Sequence, residues 1–103
     1  MNKKKKHYVL NLKGWNDFLE KEKMVKWRKN DICFAINMSA QKYILKGKIN
    51  QMQGYTYSKI LAGKELTENY IQLLQIFTKL KREEICKEVV TNFKDKDDEF
   101  GDY

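Results

Sequence analysis

The stretch Leu66-Thr67-Glu68-Asn69-Tyr70-Ile71-Gln72-Leu73-Leu74-Gln75-Ile76-Phe77-Thr78-Lys79-Leu80 decides the fold class of this chain. Leu66, Tyr70, Leu73, Leu74, Phe77 and Leu80 recur at spacings of four, three, one, three and three. That is the period of one buried helix stripe, flanked here by Ile71 and Ile76. Thr67 stands at the N-cap, where a hydroxyl can accept from a free backbone N–H of the first turn. Leu66 before it can pack on Ile71 as a hydrophobic staple. Ile85, Val89 and Phe93 continue an apolar stripe, in a separate helix or after a bend near Lys81-Arg82.

Upstream of this helix the same logic predicts further short helices. The chain has no proline and only five glycines, so helices joined by short turns are favoured. Tyr55 or Thr56 starts a helix that ends at Gly63, a residue suited to the left-handed position that closes a helix. Gln51 to Gly54 reads as a turn. Ser39 can cap a helix over Gln41 to Asn50, with Tyr43, Ile44 and Leu45 inward. Ile32, Phe34, Ala35, Ile36 and Met38 are dense enough to predict a buried helix, capped by Asn30 or Asp31. Cys33 in that run reads as a small core residue. Trp15 to about Arg28 predicts a helix with Trp15, Phe18, Leu19 and Val25 near one face, broadened by Met24 and Trp27. Tyr8 to Leu12 reads as a short strand or an extended arm, with no obvious second strand to pair it. The phrase Ile44-Leu45-Lys46-Gly47-Lys48 is echoed by Ile60-Leu61-Ala62-Gly63-Lys64, which predicts two short helices with similar ends. The expected fold is all-α: a compact bundle of about five helices, with a short strand or arm at the N-terminus.

The chain has 103 residues and a formal net charge of +7. One small domain is the limit at that length, and 42% hydrophobic residues suffice for a core. The charge divides unevenly. Residues 1–13 carry Lys3, Lys4, Lys5, Lys6 and Lys13 with no acid, and read as a basic arm. Residues 14–93 form the helical domain. Residues 94–103 carry five acids against Lys94 and Lys96, and read as an acidic disordered tail. Within the domain, no acid occurs between Asp31 and Glu65, an interval that holds Lys42, Lys46, Lys48, Lys59 and Lys64. Lysines supply charge for phosphates, and the Gln, Asn, Ser and Thr among them supply hydrogen bonds to phosphates and base edges.

The segment from Gly54 to Leu74 resembles the second half of a Cro-type (XRE-like) helix-turn-helix domain. The likeness rests on Ile60-Leu61-Ala62-Gly63-Lys64 at the end of a short helix, followed by a capped amphipathic helix from Thr67 to Leu80. It extends over roughly residues 30–80. It implies a helix-turn-helix that binds double-stranded DNA, in a transcriptional regulator or accessory factor of a phage or mobile element, working as a homodimer. Carried onto this sequence, the interface is Gln53, Tyr55, Thr56, Tyr57, Ser58, Lys59 and Lys64, with Lys42 and Lys48 on phosphates. Two registers stay open. In one, Gln41 to Asn50 precedes the recognition helix at Tyr55. In the other, Ile32-Cys33 lies mid-helix, Asn37 is the turn residue, Met38 packs, and Ser39 caps a recognition helix reaching Lys46. The face from Tyr70 to Phe93 is the expected dimer or core surface.

Little points to catalysis. The only histidine is His7, so zinc-type ligand spacing and a Ser-His or Cys-His pair are both lacking. No phosphate-cradling glycine loop occurs. Neither an enzyme nor a cofactor is expected. No segment has the ~20 apolar residues of a membrane span, and two cysteines cannot make a disulfide framework, so a cytoplasmic protein is expected. Two other classes stay open: a phage-type interaction module that inhibits or adapts a host protein, and a single-strand or RNA binder that stacks bases on Tyr43, Tyr55 and Tyr57.

Overall fold

A computed structural model describes residues 2–94. The chain is mostly helical, with one two-stranded sheet. The elements run β1 (Asn2–Leu10), α1 (Leu12–Lys21), α2 (Lys29–Ser39), α3 (Gln41–Leu45), α4 (Gly54–Leu61), α5 (Glu68–Thr78), α6 (Arg82–Ile85) and β2 (Cys86–Lys94). The antiparallel register of β1 and β2 runs from Asn2 opposite Lys94 to Leu10 opposite Cys86.

The helices are short because three of them close with the same device. In each, the residue after the C-cap takes a positive φ, and two backbone N–H groups turn back onto the last turn. After α4, Gly63 (φ 103) donates to the Ile60 carbonyl and Lys64 to that of Lys59. After α3, Gly47 (φ 73) donates to Ile44 and Lys48 to Tyr43. The Gly-Lys echo in the sequence is therefore the same helix ending used twice. It stops α3 at Leu45, short of the Asn50 expected. The third closure has no glycine. Lys23 (φ 60) donates to Glu20, and Met24 to Leu19, which ends α1 at Lys21 and not near Arg28.

α5 is the central helix. Ile71, Leu73 and Leu74 are buried along it, and Leu66 is buried just before its N-cap Thr67. It packs against α2, which contributes Ile32, Cys33 and Ile36. The expectation that the whole Ile32–Met38 run is buried is corrected: Phe34 is 67% exposed and Met38 47%. Both lie on the outer side of α2, a helix only half of which meets the core. Likewise Tyr43 and Leu45 point outward, because α3 is a single turn with no buried residue. α1 begins at Asn11, whose side chain accepts from the Gly14 N–H, and it buries Trp15 and Leu19 one turn apart.

The largest departure from the expected all-α bundle is the sheet. Val89 and Phe93 lie on β2 and not on a helix. A spacing of four puts residues on one side of a helix and also on one side of a strand, so it could not discriminate. The β-branched run Val89-Val90-Thr91 favours the strand. The lysine run of β1 is its partner, so residues 2–10 are a paired strand and not a free arm. The expected acidic tail lies outside the described residues beyond Lys94.

Candidate nucleic-acid interface

α4 is held from three directions. On its inner face Tyr57 and Ile60 are each 2% exposed. The Tyr57 hydroxyl accepts from the Trp15 indole N–H at 2.8 Å, and the two rings meet edge-on with centroids 6.1 Å apart. The segment leading into α4 is clamped by two asparagines. Asn37 on α2 donates to the Met52 carbonyl and accepts from the Met52 N–H, both at 2.8 Å. Asn69 on α5 does the same to Asn50, at 3.0 and 2.8 Å. Each amide side chain copies a strand partner, and Ile49 and Met52 are buried as a result. At the exit of α4, the Leu66 N–H donates to the Tyr8 carbonyl of β1 at 2.7 Å.

With its inner face committed, α4 presents Gln53 and Tyr55 fully outward, with Thr56, Ser58 and Lys59 half-buried beside them. Tyr55 is 69% exposed, and the Lys59 ammonium lies 4.4 Å from its ring centroid. Lys64 stands exposed just past the closing Gly63. Along α4 and its two flanks there are thus one cation-capped aromatic, several hydrogen-bonding side chains and two lysines, in a stretch with no acid. It suits phosphates and base edges in chemical terms.

Three expected site residues fall elsewhere. Tyr57 is corrected to a core residue, because its hydroxyl is spent on Trp15 and its ring is buried. Burial pushes its phenol pKa up, with the Trp15 bond opposing. Lys42 sits on α3 with its ammonium 5.4 Å from the Tyr43 ring. Lys48 follows α3 and lines a shallow groove with Tyr43, Gln72 and Gln75. The helix that packs on α4 is α2, with α3 and residues 46–53 between them in sequence. Asn37 and Met38 belong to the body of α2, and Ser39 returns its hydroxyl to the Ile36 carbonyl, so Ser39 caps no helix. On the stretch from Tyr70 to Phe93, expected as a dimer or core surface, the core alternative holds at Ile71, Leu73, Leu74 and Ile85.

Two surfaces went unread in the sequence. One is an apolar patch on α2, formed by Trp27, Phe34 and Met38 with Lys26, Arg28 and Asp31 around it. The exposures of Phe34 and Met38 could not be seen without knowing which side α5 covers. The other is the β1–β2 ribbon, whose lysine run was read as an arm but whose pairing was not. Cys33 and Cys86 are free and buried, and burial raises both thiol pKa values. Among the described residues, no cluster of His, Cys, Asp or Glu is placed to hold a metal, and no helix is long and apolar enough to cross a membrane. No family model, curated protein or solved structure matches this chain.

Proposed function

We propose that this chain is a small helix-turn-helix-type DNA-binding protein without catalytic activity, acting in the cytoplasm as a regulator or accessory factor of a phage or mobile element. The observation that carries the DNA reading is the outer face of α4. Gln53, Tyr55, Ser58, Lys59 and Lys64 stand there on a helix locked by Trp15, Asn37 and Asn69. A rigid short helix with a cationic, hydrogen-bonding face fits a major groove ~12 Å wide. In this reading α2 and α4 are the helix pair, and α3 with the clamped loop is an insertion between them. The regulatory and mobile-element parts rest on the resemblance described above, the small size and the lysine-rich composition. The test is titration with random duplex DNA at ~50 and ~200 mM salt, across which a protein making several phosphate contacts loses orders of magnitude in affinity. Absence of binding at the lower salt rejects the proposal. If binding occurs, Lys59→Ala with Lys64→Ala should weaken it at least tenfold.

The homodimer that paired half-sites would need is best served by the α2 patch. Asp31 and the cations Lys26 and Arg28 border the same apolar surface, so two copies can meet about a twofold axis with opposite charges facing. Sedimentation of the wild type and Phe34→Glu tests this. A monomer at every concentration for both rejects the dimer, and leaves the patch to the alternative of a host-protein adaptor.

A further inference from the structure

We infer that the β1–β2 ribbon is a second DNA-contacting element, gripping phosphates of the same duplex that α4 reads. The inference rests on the DNA-binding proposal and deepens it. A two-stranded antiparallel ribbon is one of the two protein elements that fit a DNA groove. Nine pairs at ~3.3 Å give it a length of about 30 Å, close to one helical turn of duplex.

Its charge is lopsided. β1 carries Lys3, Lys4, Lys5 and Lys6 with no acid, and β2 adds Lys87 and Lys94 against Glu88 alone. Glu88 does little to neutralise this, since it meets Lys6 at 3.7 Å with both side chains well exposed. The ribbon is anchored at its base. Leu10 and Cys86 are buried at its base, whereas Lys6 and Val90 are exposed further out. The base is also bonded to the exit of α4, through the Leu66 N–H and the Tyr8 carbonyl at 2.7 Å. The base of the ribbon and the exit of the proposed reading helix are thus tied together, as two elements that grip one duplex must be. A protein that needed the lysines only for solubility would not have to build them into a ladder.

Strand alternation supplies the test. Positions 4 and 6 share the ribbon face that continues into buried Leu10, and positions 3 and 5 share the opposite face. A ribbon docked by one face loses contacts unequally when one pair or the other is neutralised. A floppy basic tail loses them equally. The full chain, Lys4→Gln/Lys6→Gln and Lys3→Gln/Lys5→Gln are titrated with random duplex over ~50 to ~200 mM salt. Removing the docked pair should lower the salt slope by about 1.8, at ~0.9 per phosphate contact. Over that salt range the wild type should therefore lose about tenfold more affinity than this variant. Removing the other pair should change little.

A third variant, Thr91→Pro, keeps every charge but cannot continue the ladder. It should abolish the difference between the pairs while circular dichroism shows the helices retained. Equal losses from the two pairs, or none from either, overturn the ribbon inference while wild-type binding leaves the α4 proposal standing. No wild-type binding to duplex, with or without binding to phosphatidylserine vesicles, overturns both.

Discussion

Tyr57→Phe separates a core role from an interface role at the residue where the sequence and the structure disagree most. The substitution removes one oxygen and keeps the ring. In the folded protein that oxygen accepts from the Trp15 indole N–H at 2.8 Å, with Tyr57 2% and Trp15 1% exposed. Indole nitrogen is a donor only, and Trp15 is buried away from solvent that could replace the lost partner. Leaving such a donor unpaired costs about 1–3 kcal/mol, since the desolvation already incurred is no longer offset. For a domain of this size that lowers the melting temperature by roughly 5–20 °C. Urea unfolding followed by tryptophan emission measures the change, with the midpoint moving and the slope constant. The alkaline limb gives an independent check. Burial raises the folded-state pKa of Tyr57 above its unfolded value. The stabilisation is therefore complete below about pH 10 and is lost as the pH rises through the folded value. The Phe variant should lose stability less steeply above that pH than the wild type. DNA affinity, measured well below both melting temperatures, should stay within about threefold of wild type, because the hydroxyl faces inward. A stability change under ~0.5 kcal/mol, or a tenfold loss of affinity at unchanged stability, refutes the assignment of Tyr57 to the core.

Further perturbations address the parts that hold α4 and end the helices. Asn37→Ala removes two hydrogen bonds to Met52 and should cost about 2 kcal/mol in chemical denaturation, at roughly 1 kcal/mol each. Asn37→Ala combined with Asn69→Ala should be non-additive, because both clamp the same loop. Gly14→Ala should destabilise by about 1–3 kcal/mol although it lies on a helix, since the new Cβ would collide with the Glu84 backbone carbonyl. Lys23→Gly should raise stability by about 0.5–1 kcal/mol, as relief of a left-handed lysine outweighs the added freedom of the unfolded chain. Arg82 grips Glu68 with two bonds of 2.9 Å and holds its carboxyl below the usual range. Whatever stability this pair adds is present at neutral pH and is lost as the pH falls through the lowered Glu68 value, so Glu68→Gln should flatten the acid limb of the stability curve.

Legibility in the sequence followed the strength of the local signal. The α5 stripe was readable from its period, and Thr67 does stand at the N-cap, although its side chain makes no capping bond and the helix ends at Thr78, before the expected Leu80. The ends of α3 and α4 were readable in kind through Gly47 and Gly63, although α3 stops earlier than expected. The end of α1 was hidden, because Lys23 adopts the same backbone without being glycine. β2 was hidden by its spacing of four. Of β1 the inner end, Tyr8 to Leu10, was readable as a strand, and the rest was hidden by composition, since four consecutive lysines carry no alternation at all. Of the expected interface residues, Gln53, Tyr55, Thr56, Ser58, Lys59 and Lys64 stand exposed or half-buried along α4 and its flanks. The Asn37 and Asn69 clamps left no trace, because they act through single side chains on distant backbone.

The two basic regions are joined at Leu66 and Tyr8, and in the proposed reading that bears on how the molecule would discriminate among DNA sequences. Lysine ammonium groups on β1 and at Lys64 attract phosphates without regard to sequence. Gln53, Tyr55, Thr56, Ser58 and Lys59, at the start of α4 and along it, offer groups able to sense a base edge. Tyr55 is itself held by Lys59 at 4.4 Å, so its ring is stiffened before any contact forms. If both proposals hold, the ribbon, bonded to the α4 exit at Leu66, would turn nonspecific attraction into a fixed approach for that small set of readers. Removing the ribbon lysines should then lower affinity for all sequences alike. Changing Gln53 or Ser58 should instead compress the ratio between a preferred site and random DNA. A selection of bound sequences from a random duplex pool separates the two: the preferred motif should survive loss of the ribbon charges and blur with Gln53→Ala. A motif that shifts with the ribbon lysines and ignores Gln53 would place the base reading in the ribbon and not in α4.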